Sequence, residues 1–328
     1  MIPISVVTGF LGSGKSTLIG RLLRDPAFAR TAVIVNEFGE IGLDHDLIAS
    51  SDDSLLTLTT GCLCCAVQTD LARTLLDLQA RREVGTAAYD RVLIETSGLA
   101  EPAPILQALM TDTALAPTYV LTAVVTLVDT VHGATTLAAH TAARHQVAVA
   151  DWLLLSKTDV ASAGEALLQD VAALNQTASL ATTAEADAGL FFTPRPANVM
   201  SDRLAALPPR SADHTSGIET IVLQRDTPLP ALALTLFMQA LAEHCGTRLL
   251  RMKGLVALDE MPGQPAVIHG VRHVISPPVF LPGWPSGDTT TRIIFIATAI
   301  PRWFPARLLE AIEEEVREEI ALQTDLQR

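Results

Sequence analysis

Three of the four cysteines in the chain, Cys62, Cys64 and Cys65, lie within four positions. A disulfide between the adjacent Cys64 and Cys65 would require a strained ring, because neighbouring residues have poor geometry for one. Thiolates at this spacing can instead converge on one Zn²⁺ or Co²⁺ ion and leave a fourth coordination position open. The cluster therefore predicts a transition-metal site. Two alternatives stay open at this point, redox-active thiols and a packed apolar turn.

A second candidate site is the glycine-rich segment GFLGSGKST, which follows an apolar run and precedes a helical pattern. In a P-loop of this pattern the backbone amides bind phosphate, the lysine bridges the β- and γ-phosphates, and the serine hydroxyl ligates Mg²⁺. The alternative is a strand-to-helix turn that binds nothing. We assign to this nucleotide site Gly9, Gly12, Ser13, Gly14, Lys15, Ser16 and Thr17.

The segment VLIETSG places Glu95 at the end of a predicted strand and Gly98 three positions later. P-loop GTPases usually have an aspartate near Mg²⁺ at the first position and a glycine amide that reaches the γ-phosphate at the second. Together with Lys15, Glu95 and Gly98 are therefore our candidate catalytic residues.

The segment WLLLSKTD ends another predicted strand with Lys157 and Asp159. The Asp159 carboxylate can accept hydrogen bonds from N1–H and the exocyclic amine of guanine, a pair of donors that adenine does not offer. Ser156 stands where this motif usually has asparagine. The segment predicts that the nucleotide is GTP rather than ATP.

Between the P-loop and the cysteines, the segment NEFGEIGLD carries Glu37 and Glu40 on either side of Gly39. It follows the second predicted strand, where nucleotide-sensing switch segments are found. We expect Glu37 to contact a metal ion, either Mg²⁺ or the transition metal, and the alternative is a solvated turn.

These motifs are separated by apolar, β-branched runs and helical patterns that alternate through the first half of the chain. Such alternation predicts an α/β fold, here a P-loop NTPase domain whose mostly parallel sheet is covered by helices on both faces. The motifs all follow predicted strands, and ligands of such sheets bind at the carboxyl ends of the strands. His140 and His145 have the wrong spacing to share one helical face, and we assign them no role.

A second, smaller α+β domain is predicted after an irregular stretch at 176–216 that we interpret as loop and linker. We expect the first domain to occupy 1–208 and the second 209–328, and the 328-residue length is enough for two domains. The second domain should contain strands, an early helix and an acidic amphipathic helix near the carboxyl end.

Net charge and the length of the apolar runs argue against two classes of function. A net charge of −13 argues against an electrostatic nucleic-acid binder, which needs a basic face to displace counterions. No apolar run approaches the roughly 18 residues of a membrane span. The amino terminus lacks a basic segment before its apolar run, so we expect no signal peptide and a cytoplasmic protein.

Taken together and in this order, the five motifs resemble the CobW family of P-loop GTPases, which are metal chaperones or insertases. The motifs are GFLGSGKST, NEFGEIGLD, GCLCC, ETSGLAEP and SKTD. The stretches GIETIVLQRDTPL, RMKGLVAL and AVIHGVRHVISPP are similar to the carboxy-terminal domain of the same family. The resemblance covers nearly the whole chain.

The resemblance implies that the three cysteines bind zinc or cobalt, with zinc our first choice, and that GTP hydrolysis drives delivery to a client metalloprotein. A homo-oligomer is compatible with the sequence. Two other functions stay open: a GTP-dependent regulatory switch with redox-sensing thiols, and an ATP-dependent small-molecule kinase, against which Asp159 argues.

Overall fold

The computed structural model describes residues 1–38, 55–60, 64–193, 217–285 and 288–326. The chain divides into two compact units, 1–195 and 196–328. The expected domain boundary between 208 and 209 lies outside the described residues and stays a prediction.

The first unit alternates strands with helices, and its elements are numbered here over the described residues. The strands are β1 (Ile2–Gly9), β2 (Thr31–Phe38), β3 (Leu55–Thr60), β4 (Arg91–Thr96), β5 (Tyr119–Asp129), β6 (Trp152–Ser156) and β7 (Ser179–Thr182). The helices are α1 (Lys15–Leu22), α2 (Cys64–Glu83), α3 (Ala103–Thr111), α4 (Gly133–Ala139), α5 (Thr141–Ala148), α6 (Glu165–Leu174) and α7 (Ala188–Phe192).

The seven strands form one sheet in the order β3-β2-β4-β1-β5-β6-β7, and all their pairings are parallel. Strand β1 lies near the centre, where Val6 pairs with Ile94 of β4 and Val124 of β5. Its Ile4, Val6 and Val7 side chains are fully buried, as continuous Val and Ile runs predict for a sheet covered on both faces. The α/β fold expected from the sequence is confirmed.

The expectation of loop and linker from residue 176 is wrong for the first part of that stretch. Strand β7 pairs with β6 at the edge of the sheet, and α7 contributes the buried Phe191 to the core beside α1. A strand of four residues and a helix of five are too short to produce a clear periodic pattern in the sequence.

The parallel topology brings the motif segments to one edge of the sheet. Strands β1, β4, β5 and β6 end respectively at Gly9, Thr96, Asp129 and Ser156. Because parallel strands present their carboxyl ends at the same edge, the P-loop, the ETSG segment and the SKTD segment are neighbours in space.

The second unit contains the elements β8 (Ile218–Arg225), α8 (Ala231–Cys245), β9 (Leu249–Val256), β10 (Ala266–Val271), β11 (Val274–Ile275), β12 (Val279–Phe280), β13 (Thr291–Thr298) and α9 (Phe304–Leu326). Its strands form a largely antiparallel sheet in the order β11-β10-β9-β13-β8, and β12 pairs with β10. Phe237 of α8 and Phe295 of β13 meet edge to face in its core, at a centroid distance of 6.4 Å. The expected α+β second domain is confirmed.

Over the described residues, no helix combines the length and apolar character that crossing a membrane requires.

Candidate functional site

The P-loop connects β1 to α1 through a tight turn in which the Ser13 amide donates to the Phe10 carbonyl at 3.1 Å. Gly9 enters this turn with a φ of 142°, a backbone conformation that other residues rarely adopt. A Cβ atom at Gly9 would lie 2.7 Å from the Leu127 carbonyl oxygen and 2.8 Å from Ser13 Oγ. The motif glycine is therefore required both by its backbone angle and by the close approach of β5.

Lys15 and Ser16, the first residues of α1, direct their polar atoms to different partners. Lys15 is buried, and its Nζ donates to the carbonyls of Gly9 at 2.9 Å and Phe10 at 3.4 Å. Its ammonium group thus lies against the P-loop main chain, at the amino end of a helix. Since both the helix end and the lysine carry positive charge, this is a favourable place for phosphate.

Ser16 hydrogen-bonds the carboxylate of Glu95, the last residue but one of β4. Its Oγ donates to Glu95 Oε1 at 2.9 Å, and Glu95 is only 3% exposed. Beside them Thr96 donates to Thr8 at 2.8 Å, which ties β4 to β1 at the level of the site. A hydroxyl and a carboxylate offer oxygen ligands of the kind that Mg²⁺ prefers, so Ser16 and Glu95 fit the expected ion.

The loop after β4 lies directly on the P-loop. A Cβ atom at Gly98 would lie 2.6 Å from the Leu11 amide nitrogen and 2.8 Å from Leu11 Cα, so no larger residue fits there. The structure therefore places Gly98 against the P-loop backbone, and its contact with a γ-phosphate stays a prediction.

The SKTD segment is anchored by a residue that we did not identify from the sequence. Lys157, at a φ of 58°, donates from Nζ to Asp129 Oδ2 at 2.6 Å, and Asp129 Oδ1 accepts from the amide of Val131 at 2.7 Å. Burial raises the pKa of Asp129, but the bonds from Lys157 and from the Val131 and His132 amides outweigh it, so the pKa lies below its usual value. Asp159 is exposed in the turn that follows.

The predicted metal ligands are described only in part. Cys62 lies outside the described residues, Cys64 and Cys65 are the first two residues of α2, and Glu37 is in β2. The backbone register of β2 and β3 pairs Glu37 with Thr59, so Glu37 lies beside the end of the strand that precedes the cysteines in the sequence. Where the structure describes side chains, no group of three or more His, Cys, Asp or Glu residues is arranged to hold a metal ion.

Helix α5 and the residue just before it make three further contacts around the site that we did not predict from the sequence. The His140 ring, just before the helix, stacks on Phe10 of the P-loop at a centroid distance of 4.4 Å. His145 Nδ1 lies 2.8 Å from Glu101 Oε1, and burial, followed by the charge of Arg144, lowers the pKa of this histidine. His140 precedes the helix and His145 lies within it, so the two histidines contact different loops.

The third contact is made by Gln146, whose side-chain amide donates to the carbonyls of Gly98 and Ala100. The sequence could have indicated Asp129 as a site residue, because an acidic residue at the end of an apolar strand is the same pattern that indicated Glu95. No pattern indicates Gln146, because a buried glutamine is recognised as a site residue only once its hydrogen-bond partners are known.

Comparison with known proteins identifies the family of the chain. The family model for the CobW/HypB/UreG nucleotide-binding domain matches residues 3–182, and the model for the cobalamin synthesis protein cobW C-terminal domain matches residues 218–314. Zinc chaperone YjiA of Escherichia coli (strain K12) is 33% identical over 321 residues, which cover 96% of each chain. Zinc-regulated GTPase metalloprotein activator 1 of Saccharomyces cerevisiae is 32% identical over 180 residues, which cover 48% of this chain and 41% of the yeast protein.

The same relationship holds for the three-dimensional structure. The crystal structure of the Zn(II)-bound YjiA GTPase from E. coli is 28% identical, with a TM-score of 0.72 over 95% of this chain and 98% of the other. The match extends across both units, and the resemblance inferred from the motifs is confirmed. The protein belongs to the CobW/HypB/UreG family, with the family's nucleotide-binding domain followed by a CobW carboxy-terminal domain.

Proposed function

We propose that the protein is a cytoplasmic, GTP-hydrolysing metallochaperone that binds Zn²⁺ through Cys62, Cys64 and Cys65 and delivers it to a client metalloprotein. The observation that carries the nucleotide part is the hydrogen bond from Ser16 to Glu95 beside the buried Lys15. The metal part is supported by the thiol cluster and by relatives named as zinc chaperones.

The chain's own residues supply most of what phosphoryl transfer to water needs, which is positioning and charge stabilisation. The P-loop amides bind the phosphates, Lys15 neutralises charge on the β- and γ-phosphate oxygens, and the Gly98 amide binds the γ-phosphate. Ser16 and Glu95 would hold Mg²⁺, which supplies further positive charge to the phosphates when bound.

Guanine selection is assigned to the SKTD segment. Asp159 accepts the N1–H and the exocyclic amine, and its exposure in the turn leaves the carboxylate accessible to a base. The ion pair between Lys157 and Asp129 fixes the start of that turn against the end of β5. Adenine lacks the matching donors, so an ATP-dependent kinase is disfavoured.

Zn²⁺ is the cargo in this proposal, with Co²⁺ as the alternative metal. Three thiolates leave one coordination position for Glu37, water or a ligand from the client, which suits transfer better than a closed site. The cysteine segment follows β3, and β2 with Glu37 lies between β3 and the strand that carries Glu95. Nucleotide state can therefore alter metal affinity or client affinity through neighbouring strands.

The test is an anaerobic Co²⁺ titration of the protein loaded with GDP or with a non-hydrolysable GTP analogue, monitored by the thiolate-to-cobalt charge-transfer absorbance. We expect a band that depends on the nucleotide and is lost in Cys64→Ser, together with GTP hydrolysis in a separate phosphate-release assay. Cys245→Ser is the matched control, because Cys245 is buried in α8 of the second unit and outside the cluster. Absence of a thiolate band in both nucleotide states would favour the redox-sensing switch instead.

A further inference from the structure

Gln146 holds the loop that faces the P-loop. Its side chain is fully buried, and Nε2 donates to the Gly98 carbonyl at 3.1 Å and to the Ala100 carbonyl at 3.0 Å. Since carbonyls only accept, the two bonds require the NH₂ group on this side and so determine the orientation of the amide. The loop itself is a turn closed by the Ala100 amide on the Ser97 carbonyl at 3.0 Å. Gln146 thus attaches both arms of this turn to α5.

The position of Gln146 is in turn determined by the sheet. Thr126 Oγ1 of β5 donates to the main-chain carbonyl of Gln146 at 2.8 Å. At the same end of α5, Asn175 Nδ2 donates to the carbonyls of Val147, Ala148 and Ala150 at 2.9–3.1 Å. The carboxyl-terminal turn of α5, which carries Gln146, is therefore tied to β5 and to the Asn175 side chain.

The remaining polar atom of this side chain is Gln146 Oε1, which is buried and has no hydrogen-bond partner in the described part of the chain. Gln146 lines a cavity of about 130 Å³ together with Ser13 of the P-loop, whose buried Oγ likewise lacks a partner in the described residues. A buried polar atom without a partner is costly. The side chain thus holds the turn through its NH₂ group at some cost in stability.

We propose that Gln146 is a positioning residue for γ-phosphate recognition. By binding the carbonyls of Gly98 and Ala100, it fixes the peptide planes of the turn so that the Gly98 amide points to the γ-phosphate. The tight approach of Gly98 to Leu11 leaves little tolerance in this placement. GDP has no γ-phosphate, so Gln146 acts on discrimination between GTP and GDP rather than on nucleotide binding in general. This inference rests on the proposed GTPase function.

The experiment compares the full-length protein with Gln146→Met, which removes both donors at similar length, and Gln146→Glu, which sets carboxylate oxygens against the two carbonyls. Dissociation constants are measured for GDP and for a non-hydrolysable GTP analogue, and GTP hydrolysis is followed in single turnover. We expect GDP affinity to stay within about twofold, while analogue affinity and the hydrolysis rate each fall roughly tenfold. Gln146→Glu should show at least as large a change as Gln146→Met.

The matched control is Gln107→Met, the same substitution at a buried glutamine of α3. It should lower the melting temperature and leave the ratio of the two nucleotide affinities unchanged. Equal weakening of GDP and analogue in both Gln146 variants, or a similar change of the ratio in Gln107→Met, would overturn the positioning role and leave the proposed function standing. A wild-type protein that binds neither nucleotide would overturn the proposed function, and this inference with it.

Discussion

The two units contain groups of charged side chains with different arrangements. In the first unit Lys15, the Ser16–Glu95 bond and the Lys157–Asp129 pair all lie where strands end at one edge of the sheet. These groups surround the edge of the sheet where strands end, and do not link one packed layer of the fold to another. Ligands of parallel sheets bind at this edge.

In the second unit a comparable group links elements of the fold to one another. Arg225 of β8 makes two hydrogen bonds to the Glu313 carboxylate of α9, at 2.5 and 3.0 Å. Arg317, one turn further along α9, binds the same carboxylate at 2.9 Å and also reaches Asp259 at 3.0 Å. These charges join a strand, a helix and a loop. We infer that the group at the sheet edge of the first unit serves ligand binding and that the Arg225–Glu313–Arg317 group of the second unit serves stability.

The largest expected effect is that of Lys15→Ala. Loss of the ammonium group should reduce GTP hydrolysis by a factor of roughly 100 to 1,000, as removal of a single charge-stabilising donor does in other active sites. Hydrolysis is measured by phosphate release, and the Co²⁺ titration in the same variant should still show the thiolate band. Loss of both properties would indicate misfolding, and Lys15 would then belong with the charges that stabilise the fold.

Asp159→Asn should change which base is bound. The variant is expected to lose about 100-fold in GTP affinity and to gain affinity for xanthosine triphosphate, whose base has a carbonyl where guanine has the amine. Competition binding measures both values. Asp170→Asn, at an exposed position of α6, is the control and should change neither. Undiminished GTP binding in Asp159→Asn would remove the argument for guanine.

Glu313→Gln should act on stability and leave nucleotide affinity unchanged. Burial raises the pKa of Glu313, but the bonds from Arg225 and Arg317 outweigh it, so the pKa lies below its usual value. A carboxyl group with a lowered pKa stabilises the fold fully above its usual pKa and loses this effect as the pH falls through the lowered value. We expect the variant to lose about 2 kcal/mol in the free energy of unfolding at pH 7.

The same measurement has a pH signature. In urea unfolding, the difference between wild type and Glu313→Gln should be constant from neutral pH down to about pH 5 and should shrink below about pH 4. A difference that does not change with pH, or a changed GDP affinity, would show that the charges of the second unit do not play the structural role assigned to them.

Asp129→Asn should have the smallest effect and tests the link between the SKTD segment and β5. The neutral side chain keeps its backbone partners but weakens the bond from Lys157, so guanine-nucleotide affinity should fall about fivefold. Thermal melting should change little, because Lys157 is about one-third exposed. If the variant mainly lowered the melting temperature, this pair would belong with the stabilising charges of the second unit.

The local sequence predicted the sheet and the P-loop because both depend on short-range patterns. Val and Ile runs with turn residues between them produce parallel strands, and GFLGSGKST combines an αL glycine, a helix start and the lysine within nine residues. Order along the chain then placed Glu95, Gly98 and Asp159 at the same edge, because parallel strands all end there. By contrast β7 and α7 were missed, since four or five residues contain too little pattern to be recognised.

The partners of the motif residues were decided by tertiary structure alone. Asp129 becomes the anchor of Lys157 only because β5 and β6 are adjacent, and Gln146 reaches Gly98 only because α5 is held on β5 beside the loop that follows β4. A single buried aspartate or glutamine forms no periodic pattern and no motif that could be recognised in the sequence. Their chemistry depends on which carbonyls and ammonium groups lie within about 3 Å, and long-range packing determines those distances.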